Sequence, residues 1–127
     1  MEKTVIRTEN APAPFQGAPY NQAIRVGDLV FVAGQLGLKP GDTAVEGDVA
    51  VQTEQALRNL AAILEAAGSS LENLVKTSVF LQDLGDFAAM NEVYARHVGD
   101  RPPARSTFEV AKLPSGALVE IEAVAHT

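Results

Sequence analysis

The sequence contains no cysteine and only two histidines, His97 and His126. The absence of cysteine excludes disulfide bonds, cysteine-ligated zinc and thiol nucleophiles. The two histidines are far apart and do not have the spacing of metal ligands. The chain also lacks a glycine-rich phosphate loop, a nucleophile with an adjacent histidine and a cofactor fingerprint. We therefore expect a function that uses neither a metal nor a cofactor.

Positive charge is also scarce, with 10 lysines and arginines against 16 acidic residues and a net charge of −6. Nucleic-acid binding depends largely on cationic side chains that neutralise phosphates, so this balance argues against a nucleic-acid partner. No apolar run approaches a membrane span, and residues 1–5 lack the apolar stretch of a signal peptide. We expect a cytoplasmic protein without a membrane partner.

The length and composition fit one compact unit. A chain of 127 residues with 46% apolar content can bury roughly two thirds of its unfolded surface. The sequence contains no linker, repeat or low-complexity tract, and we expect a single domain over residues 1–127.

The first third of the chain predicts three strands. Residues 4–8 have the pattern of a short strand, and residues 23–26 and 29–33 form a hairpin around the tight turn Gly27–Asp28. The second strand of this hairpin is apolar at every position, which predicts burial on both faces.

Two helices and a strand follow. Asp48 is a suitable N-cap for a helix that ends before Gly68, and Asp86 for a shorter helix that ends before Gly99. The strand between them covers residues 75–81. The predicted inward row of the second helix consists of Phe87, Met90, Tyr94 and Val98.

The C-terminal segment predicts a second hairpin. Residues 102–110 follow two prolines and alternate in polarity, and after a turn residues 118–123 place Glu120 and Glu122 on their polar face. Such a hairpin would bring Arg105 and Glu120 together across two strands. On its own such a pair is more often a solvated surface ion pair, which contributes little, than a site.

The predicted element order is β, β-hairpin, α, β, α, β-hairpin. Two helices can cover only one face of a sheet of about six strands. The other face needs cover as well, so we expect the protein to associate with itself through the helix-free face.

Seven separated stretches match a known pattern in the same order: TENAP (8–12), GAPY (17–20), VAGQ (32–35), VKT with VF (75–80), DFA with Asn (86–91), PARS (103–106) and EIEA (120–123). On these residues the chain resembles the Rid family of reactive intermediate deaminases, also called the YjgF family, along nearly its whole length. The resemblance implies an α+β, chorismate-mutase-like subunit with a mixed six-stranded sheet, two helices on one face, and a homotrimer with clefts between subunits.

The resemblance also implies an activity and a set of site residues. The activity is hydrolysis of 2-imino acids, such as 2-iminobutanoate and 2-iminopropanoate, to 2-oxo acids and ammonia. The family's carboxylate-binding arginine matches Arg105, and its acidic residue for the attacking water matches Glu120. Tyr20, Gly34 and Asn91 match further positions in the cleft.

The chain departs from the family at two cleft positions. Thr107 stands where many active members carry a cysteine, and Ala33 stands where many carry a serine before the glycine. A threonine can donate and accept a hydrogen bond but cannot form a reactive thiolate. Thr107 is therefore expected to bind substrate rather than to react with it.

Two other functions stay open. A protein that binds small 2-oxo acids without turnover would need Arg105 but no carboxylate beside it. A ribonuclease or translation inhibitor, roles attached to some relatives, is disfavoured by the acidic charge.

Overall fold

A computed structural model describes all 127 residues of the chain, Met1 to Thr127. It contains six strands and two helices in the following order: β1 (Lys3–Ile6), β2 (Ala23–Val26), β3 (Leu29–Leu36), α1 (Val49–Ala66), β4 (Leu74–Leu81), α2 (Phe87–Val98), β5 (Ala104–Glu109) and β6 (Val119–His126). Neither helix combines the length and the apolar character needed to cross a bilayer.

The six strands form one mixed sheet in the order β1-β2-β3-β6-β4-β5. Strands β4 and β5 are parallel because α2 connects them, and every other neighbouring pair is antiparallel. The predicted α+β fold with a mixed six-stranded sheet and two helices is therefore confirmed.

The two helices begin in different ways. Asp48 has an extended backbone, and its carboxylate accepts a hydrogen bond of 3.0 Å from the backbone N–H of Val51, as expected of an N-cap. The predicted cap at Asp86 is wrong. Asp86 lies in a turn conformation (φ −84°, ψ 4°) at the end of a 3₁₀ turn that runs directly into α2, and its side chain makes no capping bond.

A hydrophobic core of 22 buried residues lies between the helices and one face of the sheet. Alternate residues of β3, Val30 and Val32, point into this core, while Leu29 and Phe31 point away from it and are 41% and 45% exposed. The prediction that β3 is buried on both faces is therefore wrong for a single chain. The helix-free face carries uncovered apolar side chains.

The predicted C-terminal hairpin is also wrong, because β6 pairs with β3 and β4 while β5 pairs only with β4. The burial of the two strands explains this arrangement. Strand β6 buries alternate residues, including Val119 and Ile121, and so gains most from a central position. Strand β5 has no buried residue and follows two prolines, features that suit the edge of a sheet.

Candidate active site

A cavity of about 500 Å³ opens on the helix-free side of the sheet, next to the end of β3. Three of the residues predicted for the site line it: Tyr20, Gly34 and Glu120. The rest of the wall is formed by residues that were not predicted for the site, among them Phe15, Gln22, Gln35, Leu36, Leu38 and Pro114.

Gly34 gives the Glu120 carboxyl group the space that it occupies. A Cβ atom built on Gly34 would lie 2.6 Å from Oε2 of Glu120 and 2.8 Å from its Cδ. Any other residue at position 34 would therefore displace the carboxyl group. The sheet has an irregular register between Val32 and Gln35, so this close approach occurs where the pairing of β3 with β6 is interrupted.

Glu120 lies in an environment that favours its protonated form. Burial raises the pKa of the Glu120 carboxyl group above its ordinary value, and the charge of Glu122 raises this pKa further. Glu122 also lines the cavity, and no lysine, arginine or histidine does. A carboxyl group with a raised pKa can accept and return a proton closer to neutral pH than an ordinary glutamate can.

The outer wall of the cavity is a connector that is held in place by hydrogen bonds. The backbone N–H of Phe15 donates to the Tyr20 hydroxyl at 2.6 Å. The buried Gln22 side chain donates to three backbone carbonyls of the connector and accepts from the N–H of Thr8 at 2.8 Å. The wall therefore has a defined shape, although it contains neither helix nor strand over most of its length.

Arg105 points to the opposite face of the sheet from Glu120. Residue Thr77 of β4 pairs with Arg105, whereas Phe80 of β4 pairs with Glu120. Neighbouring residues on paired strands share a face, and residues three apart on one strand lie on opposite faces. The pair that was expected across one hairpin is therefore separated within one chain by β4 and by the thickness of the sheet.

The Arg105 guanidinium lies between two aromatic rings of α2. Its Cζ atom is 5.5 Å from the ring centre of Phe87 and 4.8 Å from that of Tyr94. The chain provides no carboxylate within ion-pairing distance of Arg105, and its three ion pairs lie elsewhere. The N–H donors of this side chain are therefore available to an external acceptor.

Asn91 and Thr107, the other two predicted residues, lie beside Arg105. Thr107 is two residues further along β5 on the same face, and Asn91 lies on α2 between the turns that carry Phe87 and Tyr94. The Asn91 Oδ1 and Thr107 Oγ1 atoms are buried without a hydrogen-bond partner. Two unpaired polar atoms next to an unpaired guanidinium are typical of a binding region.

The six predicted residues thus form two groups on opposite faces. Tyr20, Gly34 and Glu120 form one group, and Asn91, Arg105 and Thr107 form the other. Both Phe87 and Tyr94 belong to the predicted inward row of α2, but Phe87 is 39% exposed while Tyr94 is buried as predicted. The polar Asn91 between them, in an otherwise apolar row, was the signal for a second role.

The chain is a small α+β subunit with an acidic cavity on one face of its sheet and an unpaired arginine on the other. Comparison with known proteins identifies the family that it belongs to. The family model described as Endoribonuclease L-PSP matches residues 8–127. A RutC family protein of Pyrococcus horikoshii is 51% identical, covering 98% of both chains. The mouse protein named 2-iminobutanoate/2-iminopropanoate deaminase is 44% identical, covering 97% of this chain and 90% of its own.

Among solved structures, RidA from the Antarctic bacterium Psychrobacter superposes with a TM-score of 0.93 at 42% identity, covering 98% of this chain and 99% of that one. The chain belongs to the Rid (YjgF) family, as its sequence resemblance predicted.

Proposed function

We propose that this protein hydrolyses reactive 2-imino acids, among them 2-iminobutanoate and 2-iminopropanoate, to 2-oxo acids and ammonia. The observation that carries the proposal is Glu120, a carboxyl group of raised pKa that Gly34 allows into the cavity. Such a group can activate a water molecule at an electrophilic carbon. The name of the mouse relative supports this choice of reaction.

The charges on the two faces suit a protonated 2-imino acid. This substrate carries a positive iminium next to a negative carboxylate. The cavity presents Glu120 and Glu122 without a cationic neighbour, which favours the iminium. The free guanidinium of Arg105 suits the carboxylate, because its planar fork can form two parallel hydrogen bonds.

One chain cannot offer both groups to one small molecule, because Arg105 and Glu120 lie on opposite faces of the sheet. We propose that the site forms between copies of the chain, with Arg105 from one subunit and Glu120 from another, in a homotrimer. The exposed apolar residues of the helix-free face, including Leu29, Phe31 and Phe108, supply surface that a neighbouring copy would cover.

In this site the reaction needs only proton transfers and orientation. Glu120 accepts a proton as the water oxygen bonds to the iminium carbon, which gives a tetrahedral carbinolamine. The protonated Glu120 then gives that proton to the nitrogen. Ammonia leaves as the hydroxyl becomes a carbonyl, and the hydroxyl proton is released, so that the products are a 2-oxo acid and ammonium. Binding in the right orientation supplies a large part of the rate gain.

The two positions that depart from the family pattern are compatible with this chemistry. The unpaired hydroxyl of Thr107 can donate to the substrate carboxylate beside Arg105. Ala33 contributes backbone groups: its N–H donates to the Gln22 carbonyl at 2.9 Å, and its carbonyl accepts from the Gln35 side chain at 3.0 Å. A side-chain hydroxyl at position 33 is not required in the steps above.

Binding of 2-oxo acids without turnover is the second candidate, and the unpaired guanidinium of Arg105 is the observation that favours it. Glu120→Gln separates the two candidates because it keeps the shape of the side chain and removes its proton-transfer function. A ribonuclease or translation inhibitor is disfavoured, since a net charge of −6 and an acidic cavity repel phosphates. Salt-dependent RNA binding would support it.

The direct experiment generates 2-iminopropanoate in situ with an amino-acid oxidase and follows ammonia release with and without the protein. We expect acceleration by the natural chain, a fall of about 100-fold or more for Glu120→Gln, and unchanged binding of 2-oxobutanoate by that variant. Full activity in Glu120→Gln would refute the proposed role of Glu120 and with it the proposed reaction.

A further inference from the structure

The Arg105 guanidinium is held by aromatic rings and not by hydrogen bonds. A long arginine side chain samples many rotamers, and fixing it in one geometry costs conformational entropy. Most binding arginines are oriented by a carboxylate or a carbonyl, which occupies some of their donors. Here Phe87 and Tyr94 contact the guanidinium at 5.5 Å and 4.8 Å from their ring centres, and no donor is consumed.

The two rings differ in how firmly they are held. Phe87 is the first residue of α2 and is 39% exposed, so its ring can move. Tyr94 is 4% exposed, and its hydroxyl lies 2.6 Å from Oγ1 of the fully buried Thr77. Tyr94 is therefore the fixed surface against which Arg105 rests.

Thr77 ties this surface to the strand that also positions Arg105. Thr77 and Arg105 are paired residues of the parallel strands β4 and β5. The Thr77–Tyr94 hydrogen bond joins β4 to α2, so one buried contact fixes the ring of Tyr94 relative to the backbone of Arg105. Burial raises the pKa of the Tyr94 hydroxyl, which keeps it protonated and able to hydrogen-bond.

We propose that Tyr94, fixed by Thr77, is a positioning residue that orients the Arg105 guanidinium for the substrate carboxylate. This inference rests on the proposed function, in which Arg105 binds that carboxylate. Tyr94 acts through Arg105 and does not itself touch the reacting atoms. The aromatic contact leaves the donors of Arg105 free, so the arginine is oriented before the ligand arrives and less rotamer entropy is lost on binding.

Three variants test the chain of contacts. Tyr94→Leu removes the aromatic ring. Tyr94→Phe keeps the ring and removes only the tyrosine hydroxyl, and Thr77→Val keeps the shape of the threonine and removes only its hydroxyl, so both of these variants break the Thr77–Tyr94 hydrogen bond. We expect the Kd for 2-oxobutanoate to rise about 10-fold or more in Tyr94→Leu and about 3-fold in the other two. The KM for 2-iminopropanoate should rise in parallel while kcat changes little, since the carboxylate is bound in both ground and transition states.

Val98→Ala is the matched control for lost stability. Val98 is a buried residue of α2, one turn beyond Tyr94. Its side chain has no aromatic ring, so it makes no cation–π contact of the kind that Phe87 and Tyr94 make with the guanidinium. It should lower the melting temperature and leave Kd unchanged. If the Tyr94 variants lowered the melting temperature but left Kd unchanged, Tyr94 would be a core residue only and the proposal would fail.

A double-mutant cycle decides whether Tyr94 acts through Arg105. In an Arg105→Ala background, Tyr94→Leu should cause no further loss of 2-oxobutanoate binding, measured at concentrations that reach the weakened Kd. An undiminished loss would contradict the proposal. If Arg105→Ala itself left the Kd unchanged, the proposed function would fail first. If Arg105→Ala weakened binding and Tyr94→Leu did not, only the present inference would fail.

Discussion

Replacing Gly34 with alanine tests the placement of Glu120 with the smallest available change. The added Cβ would lie 2.6, 2.8 and 3.0 Å from three atoms of the Glu120 side chain, whereas ordinary contacts begin at 3.4 Å. The carboxyl group must therefore move by about 0.8 Å or more. The backbone itself is not strained, because Gly34 is not among the glycines with positive φ.

A displacement of this size should strongly reduce turnover. A misplacement of about 1 Å costs on the order of 100-fold in rate, or about 2.7 kcal/mol of transition-state stabilisation. We expect kcat/KM of Gly34→Ala for 2-iminopropanoate to fall by about that factor. Binding of 2-oxobutanoate, which we assign to Arg105, should change little. Ammonia release from imine generated in situ measures the first quantity, and calorimetry the second.

Two further variants make the test specific. Gly99→Ala places a Cβ in open space, but at a backbone conformation (φ +68°, ψ −157°) that is essentially restricted to glycine, so it should cost on the order of 1–3 kcal/mol of stability with no loss of activity in the folded protein. Combining Gly34→Ala with Glu120→Asp shortens the displaced side chain. We expect Glu120→Asp to cost less in the Gly34→Ala background than alone. Full activity in Gly34→Ala, or a loss no larger than its unfolded fraction, would refute the reasoning.

Three other perturbations have defined outcomes. Gly37→Ala should lower the free energy of unfolding by about 2 kcal/mol or more in urea titrations, because its Cβ would lie 2.5 Å from a backbone atom of α1, which cannot move aside as a side chain can. Glu122→Gln should shift the acidic limb of the kcat/KM–pH profile to lower pH, since it removes the charge that adds to the effect of burial on the Glu120 pKa; an unshifted limb would mean that another group sets it. The pKa of Glu54 is lowered from 4.5, first by its hydrogen bond with Arg58 and then by one with a histidine, so its stabilising contribution is present above pH 4.5 and lost as pH falls through the lowered pKa. Glu54→Gln should therefore be less stable than the natural chain at pH 7 and equally stable at pH 2, and an equal deficit at both values would contradict this.

The local patterns of the sequence predicted the elements well, because each depends on neighbouring residues. The hairpin of β2 and β3, the N-cap at Asp48 and the end of α2 before Gly99 all follow from turn and capping chemistry within a few positions. The exposure of one face of β3, which carries Leu29 and Phe31, could not be predicted this way. An apolar strand has the same pattern whether a helix or another subunit covers its second face.

The prediction that Arg105 and Glu120 lie together across one hairpin is wrong for a different reason. Two adjacent strands joined by a turn usually pair, and the alternation of β5 and β6 fitted that expectation. Which strand lies between them depends on how the strands compete for the buried centre of the sheet, where β6 and β4 lie while β5 is at the edge. This is a long-range property that short patterns do not contain. The family resemblance had supplied the residues of the site but not their division between two faces of one chain.

The division of the site between subunits can be tested by mixing two inactive variants. Arg105→Ala and Glu120→Gln should each be trimeric by light scattering and nearly inactive. When they are unfolded and refolded together in equal amounts, about a quarter of the interfaces in a random trimer combine an intact Arg105 from one copy with an intact Glu120 from the next. We predict recovery of about a quarter of natural activity, and activity no higher than that of the separate variants would contradict a site shared between copies.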